Sequence, residues 1–198
     1  MPSPIGHALA GLTAAWTADL VPGDRAWRIV PASASWYERA GNGLTLACAL
    51  LAAAPDVDFL FGAHRTVTHS AGAAAVVALV AAAMASRAGR PIVRVAAMCA
   101  AAYATHLLLD WLGADTFPPR GIQWLWPLSH TWYISDTDVF RQTAREEFFT
   151  APSLIKNLKA IAQEIAILGP TVVAVWLVRV KALSGLSSDV TRRDHAAQ

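Results

Sequence analysis

The sequence predicts an all-α protein, a compact helical bundle embedded in a membrane or associated with its surface. Three observations carry that expectation. Hydrophobic residues make up 55% of the 198-residue chain and charged residues 15%, with a mean hydropathy of +0.39. Ordinary soluble domains carry about 25% charged residues. Runs without Asp, Glu, Lys or Arg recur at residues 70–86, 95–109 and 165–178. The first two are joined by the basic turn RAGRPIVR, residues 87–94. Gly89 and Arg90 centre that turn, and Pro91 suits the start of a second helix, so the pair reads as a helical hairpin.

Residues 5–18 (IGHALAGLTAAWTA) read as a short apolar helix entered through Pro2 and Pro4, with His7 in its first turn. The preceding residues lack the basic region of a secretory leader, so no cleaved leader is expected. Residues 19–43 read as irregular or amphipathic, punctuated by Pro22, Gly23, Pro31 and Gly41. The aromatics Trp16, Trp27, Trp36 and Tyr37 suit a membrane interface and suit ordinary packing equally well. Residues 44–54 form an apolar helix of about three turns, which Pro55 stops. Cys48 and Cys99 lie in apolar runs without a CxxC pair and read as buried free thiols, with a disulfide left open.

A membrane-crossing helix needs about 20 apolar residues, with a lower limit near 17. The run 70–86 reaches that limit and the others fall short, so a membrane bundle and a greasy soluble bundle both remain open. If the hairpin spans, Arg87, Arg90 and Arg94 place its turn in the cytoplasm and its open end on the extracytoplasmic side. Residues 113–138 form a long aromatic-rich connection, expected to act as a wall or lid near the site. Residues 139–160 are expected to be an amphipathic helix. Residues 184–198 are expected to be a polar, disordered tail, leaving one domain over residues 1–183. The formal charge of +2 carries no basic field for nucleic acid. Membrane lipids are the expected surroundings, with a small-molecule or lipid substrate.

The residues able to bind a metal gather at the edges of the apolar runs. Helical residues rise about 1.5 Å each, so positions equally far from the hairpin centre stand at one height. Asp110 is as far beyond that centre as His69 is before it. His106 lies one turn nearer on the face of Asp110, because residues four apart are neighbours. His69, His106 and Asp110 should therefore meet at the open end, provided the two runs are antiparallel neighbours. Buried His and Asp are costly unless paired. The residues therefore partner one another, either around an ion or as a hydrogen-bonded polar lock. Asp56 and Asp58 point the same way in an extended segment, as ligands or as caps of a local turn. His64 and His69 are five apart and cannot share one helical face. Arg65 suits a substrate phosphate or carboxylate, or an ion pair with Asp56 or Asp58. His7 joins if the first helix packs on the hairpin. His130 and Asp136 are weaker candidates on a loop.

Imidazole with carboxylate suits zinc, manganese or iron(II), which lowers the pKa of bound water to about 7 and polarises a scissile group. The order of motifs is His7 on a first helix, PDVDF (55–59), HRTVTHS (64–70), HLLLDW (106–111) and WPLS (126–129). In this order the chain resembles the YdjM-like family of inner-membrane-bound metal-dependent hydrolases over roughly residues 5–140. It is more distantly similar to zinc-dependent phospholipase C and the P1-type nucleases, all-helical enzymes with a three-zinc site. The resemblance implies a metal held by Asp58 or Asp56 with His69, His106 and Asp110. It further implies that His7 would serve a second ion, with Asp110 as the bridging carboxylate. Those enzymes use two further histidines and a carboxylate in a later helix. Here only His130 and His195 follow Asp110, without a second HxxxE or HxxxD pair, so one or two ions are expected.

The leading expectation is a metal-dependent hydrolase of the inner membrane acting on an ester or phosphoester, lipids included. His7, Asp56, Asp58, His69, His106 and Asp110 are its metal ligands, with His64 or Arg65 contacting substrate or leaving group. The alternatives are a non-enzymatic membrane bundle with a structural His/Asp cluster, and haem held between His69 and His106.

Overall fold

The computed structural model describes residues 1–21, 34–61, 65–144, 147 and 149–196. Local capping chemistry starts most of the helices. Helix α1 (Pro4–Leu20) begins at Ser3, whose side chain accepts from Gly6 N. Ser35 and Glu38 form a reciprocal capping box for the short α2 (Trp36–Ala40). Asn42 accepts from Leu44 N and Thr45 N and opens α3 (Gly43–Ala53). A 3₁₀ segment (Ala54–Phe61) follows directly. Ser70 caps α4 (Ala71–Arg87) through Ala73 N. Pro91 is the residue before α5 (Ile92–Leu112), and Gly89, at φ +60°, makes the turn between the two helices. The last helix is α6 (Ala151–Ala196). Among the described residues there is no strand, only isolated bridges between Gly113 and Phe140 and between Ile122 and Tyr133.

Helix α4 packs along α5, as the hairpin requires, while α1 lies against α3, α5 and α6. The common core is built of small side chains: Ala15, Cys48, Ala81, Cys99 and Ala102, with Met98. Gly11 shows why. A Cβ there would collide with the Ala52 side chain and stand 2.7 Å from the Cys48 carbonyl oxygen, so α1 and α3 approach at backbone distance. Cys48 and Cys99 are both buried, and neither is in a disulfide. Trp16 is an interior residue whose Nε1 donates to Ala40 O at 2.9 Å, while Trp27 lies outside the described residues.

Three stretches differ from the sequence expectation. Helix α5 has 21 residues and includes Arg94, which the charge-free run left out. The Arg94 guanidinium donates to the carbonyls of Ala18 and Val21 at the end of α1, a charge satisfied inside the fold. Residues 139–144, 147, 149 and 150 are not helical. Val139 N donates to Leu112 O (2.9 Å), Ala114 N to Phe140 O (2.8 Å) and Ala144 N to Asn157 Oδ1 (2.7 Å). These tertiary partners outcompete the amphipathic pattern. Helix α6 runs through Pro170 without a break and continues as helical backbone over residues 184–196, the stretch set apart from sequence as a tail.

Helix α5 and the Ala151–Leu183 part of α6 are each long and apolar enough to cross a bilayer, and α4 is shorter. Only 6% of the most apolar window of α6 is buried inside the protein, so that helix presents its side chains outward. Val76, Leu79, Val80 and Met84 of α4 and Ile165, Val173, Leu177 and Val178 of α6 are exposed, an apolar surface suited to lipid.

Candidate metal centre

Four elements bring five side chains to one point. The first turn of α1 supplies His7, the 3₁₀ segment Asp56, the turn before α4 His69, and α5 both His106 and Asp110. Helix α5 sets its pair one turn apart, with His106 Nε2 3.2 Å from Asp110 Oδ2. His69 Nε2 stands 3.4 Å from the same oxygen, and His7 Nε2 stands 3.4 Å from Oδ1. Asp56 Oδ1 is 3.7 Å from both His69 Nε2 and His106 Nε2, and its Oδ2 is 3.9 Å from His7 Nε2. The His7 ring stacks on His106 at 3.7 Å between centroids, and His69 meets His106 edge-on at 4.7 Å. A macrocycle does not fit between His69 and His106 at that distance, which removes haem ligation by this pair.

The donor set fits a divalent ion. Ligand atoms held tetrahedrally at zinc's usual bond lengths stand about 3.3 Å apart, close to the observed 3.2–3.9 Å. His7 Nε2, His106 Nε2 and both Asp110 carboxylate oxygens are buried without an aligned hydrogen bond. A fully buried carboxylate in that condition is costly. A cation among these atoms removes the cost, whereas a hydrogen-bonded polar lock would show aligned donors. His7, His69, His106 and Asp110 are fully buried, while the Asp56 side chain is 23% exposed and marks the open side.

The outward ring nitrogens are oriented from behind. His106 Nδ1 donates to Ala52 O at 2.8 Å, which leaves Nε2 as the lone-pair nitrogen facing the cluster. His69 Nδ1 lies 3.1 Å from Asp58 Oδ2 and 3.0 Å from Thr68 Oγ1, and Thr68 also donates to Asp58. Tyr103 of α5 holds this turn by donating to Thr68 O at 2.6 Å. Burial opposes a proton on His69, but Asp56 and Asp58 outweigh it and push its pKa up to about 9. Burial likewise works to raise the Asp56 pKa, and the His69, His106 and His7 rings more than offset it, holding that carboxyl below its ordinary value.

The hairpin residues His69, His106 and Asp110 come together, and His7 and Asp56 join them. Asp58, read from sequence as a ligand, faces the far nitrogen of His69 instead. Arg65 reaches Asp58 through its backbone and Asp115 through its side chain. Its guanidinium forms a close ion pair with Asp115 and donates to the carbonyls of Gly121 (3.4 Å) and Phe117 (3.3 Å). Its backbone sits in the left-handed region at φ 69°, an unusual conformation for a side-chain-bearing residue, and its N–H donates to Asp58 Oδ2 at 3.3 Å. His64 lies outside the described residues. His130 is exposed, and Asp136 pairs with Arg120 at 2.6 Å, so neither joins the cluster. The sequence reading missed Asp115 and Thr68. Thr68 was visible within HRTVTHS as a hydroxyl beside a candidate ligand, whereas nothing local marked Asp115.

Asp58→Asn keeps the size of this side chain and removes its charge. We expect it to weaken metal affinity about 10–100-fold, the usual loss for an outer-shell partner, measured by chelator competition. Unchanged affinity would remove Asp58 from the orienting role.

Fold and site together define a helical protein with lipid-suited surfaces and a buried His/Asp cluster with the donor set of a metal centre. The sequence profile of the YdjM inner membrane protein family matches residues 1–185. The chain belongs to that family. It matches no curated protein and no solved structure.

Proposed function

We propose that this protein is a metal-dependent hydrolase of the inner membrane, acting on an ester or phosphoester substrate, lipids included. The observation that carries the reading is the convergence of three imidazoles and two carboxylates, with buried carboxylate oxygens lacking hydrogen bonds. His7, Asp56, His69, His106 and Asp110 would hold the ion, zinc by donor type and manganese or iron(II) as alternatives. Such an ion supplies Lewis acidity and an activated water at neutral pH. His106 Nε2 belongs to both ligand groups. One imidazole nitrogen serves one ion, so a single ion fits these side chains best, and a second would need a bridging carboxylate. Asp58 and the Ala52 carbonyl orient His69 and His106. Asp56 stands on the open side, where substrate would arrive. His64 is kept as a substrate or leaving-group contact. Arg65, tied to Asp115, positions the wall formed by residues 113–138.

The test is hydrolysis of a panel of phosphoesters, carboxylic esters and phospholipids by the purified full chain. Activity should vanish with chelator, return with zinc or manganese, and be absent in His106→Ala. Activity that survives both treatments would sink the proposal. The non-enzymatic reading draws on the full burial of four of the five residues, since an ion so enclosed can serve as a structural brace. Stoichiometric metal with no turnover across the panel would favour it.

The basic end of the bundle carries Arg87, Arg90, Arg94 and Arg179, opposite the His/Asp cluster. We propose that this end is cytoplasmic and the cluster extracytoplasmic. A cysteine placed at Arg90 should resist an impermeant thiol reagent added to intact cells and react in inverted vesicles. The reverse pattern would invert the topology.

A further inference from the structure

Away from the metal cluster, residues 114–116, the extended segment 138–142 and the start of α6 enclose an open pocket of about 430 Å³, within the usual size range of ligand sites. Its lining carries three positive side chains, Arg141, Lys156 and Lys159, against one carboxylate, Asp138. None of the three cations has an ion-pair partner among the described residues. The fourth donor is Gln142, 8% exposed. Its Oε1 accepts from Thr116 N (3.3 Å) and Thr116 Oγ1 (2.8 Å). A backbone N–H can only donate, so the amide orientation is set and Nε2 is the end turned away from Thr116. That NH₂ is buried with no partner among the described residues. A buried donor without an acceptor is costly, and an anion in this pocket would accept from it.

We propose that this pocket binds a phosphate group, carried by a lipid headgroup or by a soluble phosphate ester. Three exposed cations and a fixed amide donor match a tetrahedral oxyanion with several acceptor oxygens. The surroundings suit either source. Lys156 and Lys159 precede the charge-free stretch 165–178 of α6, where a crossing helix meets the headgroup layer. Ala114 follows Asp110 by four residues, which limits their Cα separation to about 14 Å. The phosphate site therefore lies beside the metal centre without being part of it. The proposal stands on its own residues, and its failure would leave the metal reading untouched.

The test uses the full chain in neutral detergent, titrated with inorganic phosphate by calorimetry. In parallel, retention of phosphatidylglycerol is compared by native mass spectrometry with that of a galactosyl diacylglycerol, which lacks phosphate. Lys156→Gln/Lys159→Gln and Gln142→Leu are compared with wild type, with helical content and metal content as controls. Each variant should weaken phosphate-group binding by about tenfold or more. Loss confined to inorganic phosphate identifies a soluble ester as the source, and loss confined to phosphatidylglycerol identifies the headgroup. If the double variant does not fold, Gln142→Leu, which keeps the net charge, decides alone. Wild type that binds neither probe, or folded variants that bind like wild type, would overturn the site.

Discussion

Asp110→Ala is expected to strip the metal from the purified protein, leaving the wild type with one equivalent and the variant with none by elemental analysis. Asp110 is the hub of the cluster. Its two oxygens stand 3.2–3.4 Å from the Nε2 atoms of His7, His69 and His106, whereas Asp56 is farther from each. Removing an outer-shell partner costs about 10–100-fold in affinity, and deleting the central carboxylate should exceed the upper end of that range. A stability readout follows. A ligand that binds only the folded state at 100 times its Kd contributes about 2.7 kcal/mol. Chelator should therefore lower the melting temperature of the wild type and leave that of Asp110→Ala unchanged. Asp110→Asn, close in size, separates loss of charge from loss of packing. A wild type that takes up no stoichiometric zinc or manganese after reconstitution would make the cluster structural.

The second large effect lies at the other end of the bundle. Arg179 of α6 donates to Asp19 of α1 at 2.8 Å, and the side chains are 2% and 0% exposed. Arg179 also donates to Arg39 O at 2.5 Å, and Arg94 comes within 4.0 Å of Asp19. This network fastens the outward-facing α6 to the interior helices. Breaking a buried pair by deleting one partner costs about 3–5 kcal/mol, because the other charge is left uncompensated. Asp19→Ala should lose about that much stability in detergent unfolding while retaining its metal. Asp19→Leu/Arg179→Met should recover most of the loss, since replacing both charges by apolar groups of similar volume is often neutral. A loss below about 1 kcal/mol, the range of an exposed pair, would show that water reaches this site.

The two effects separate cleanly because the bundle has two chemically distinct ends. The cluster end carries Asp56, His69 and Asp110 at helix termini or in turns, where backbone geometry can aim them. At the basic end, arginines satisfy the final carbonyls of α1 and the buried Asp19. Between them, alanines and cysteines pack α1, α3, α4 and α5 closely.

The sequence by itself determined the helical class, the α4–α5 hairpin and the meeting of His69, His106 and Asp110. Each follows from the rise and period of one helix reflected across one short turn, and those quantities are local. The start of α1 was legible for the same reason, since Pro2 and Pro4 sit beside the apolar run they open, whereas the caps Asn42 and Ser70 emerged only in the fold. Only the tertiary structure decided the rest. The stacking of His7 on His106 depends on how α1 lies across α5, which no spacing within either helix encodes. Asp56 was separated from Asp58 by the path of a 3₁₀ segment, which turned one carboxylate to the cluster and the other to the back of His69. The partner of Arg65 lies 50 residues away at Asp115. Residues 139–144 gave up a plausible helix for hydrogen bonds to the end of α5 and to α6. Periodicity reports which face of an element is apolar, whereas ligand sets and buried ion pairs depend on distances between elements, which exist only once the chain has packed.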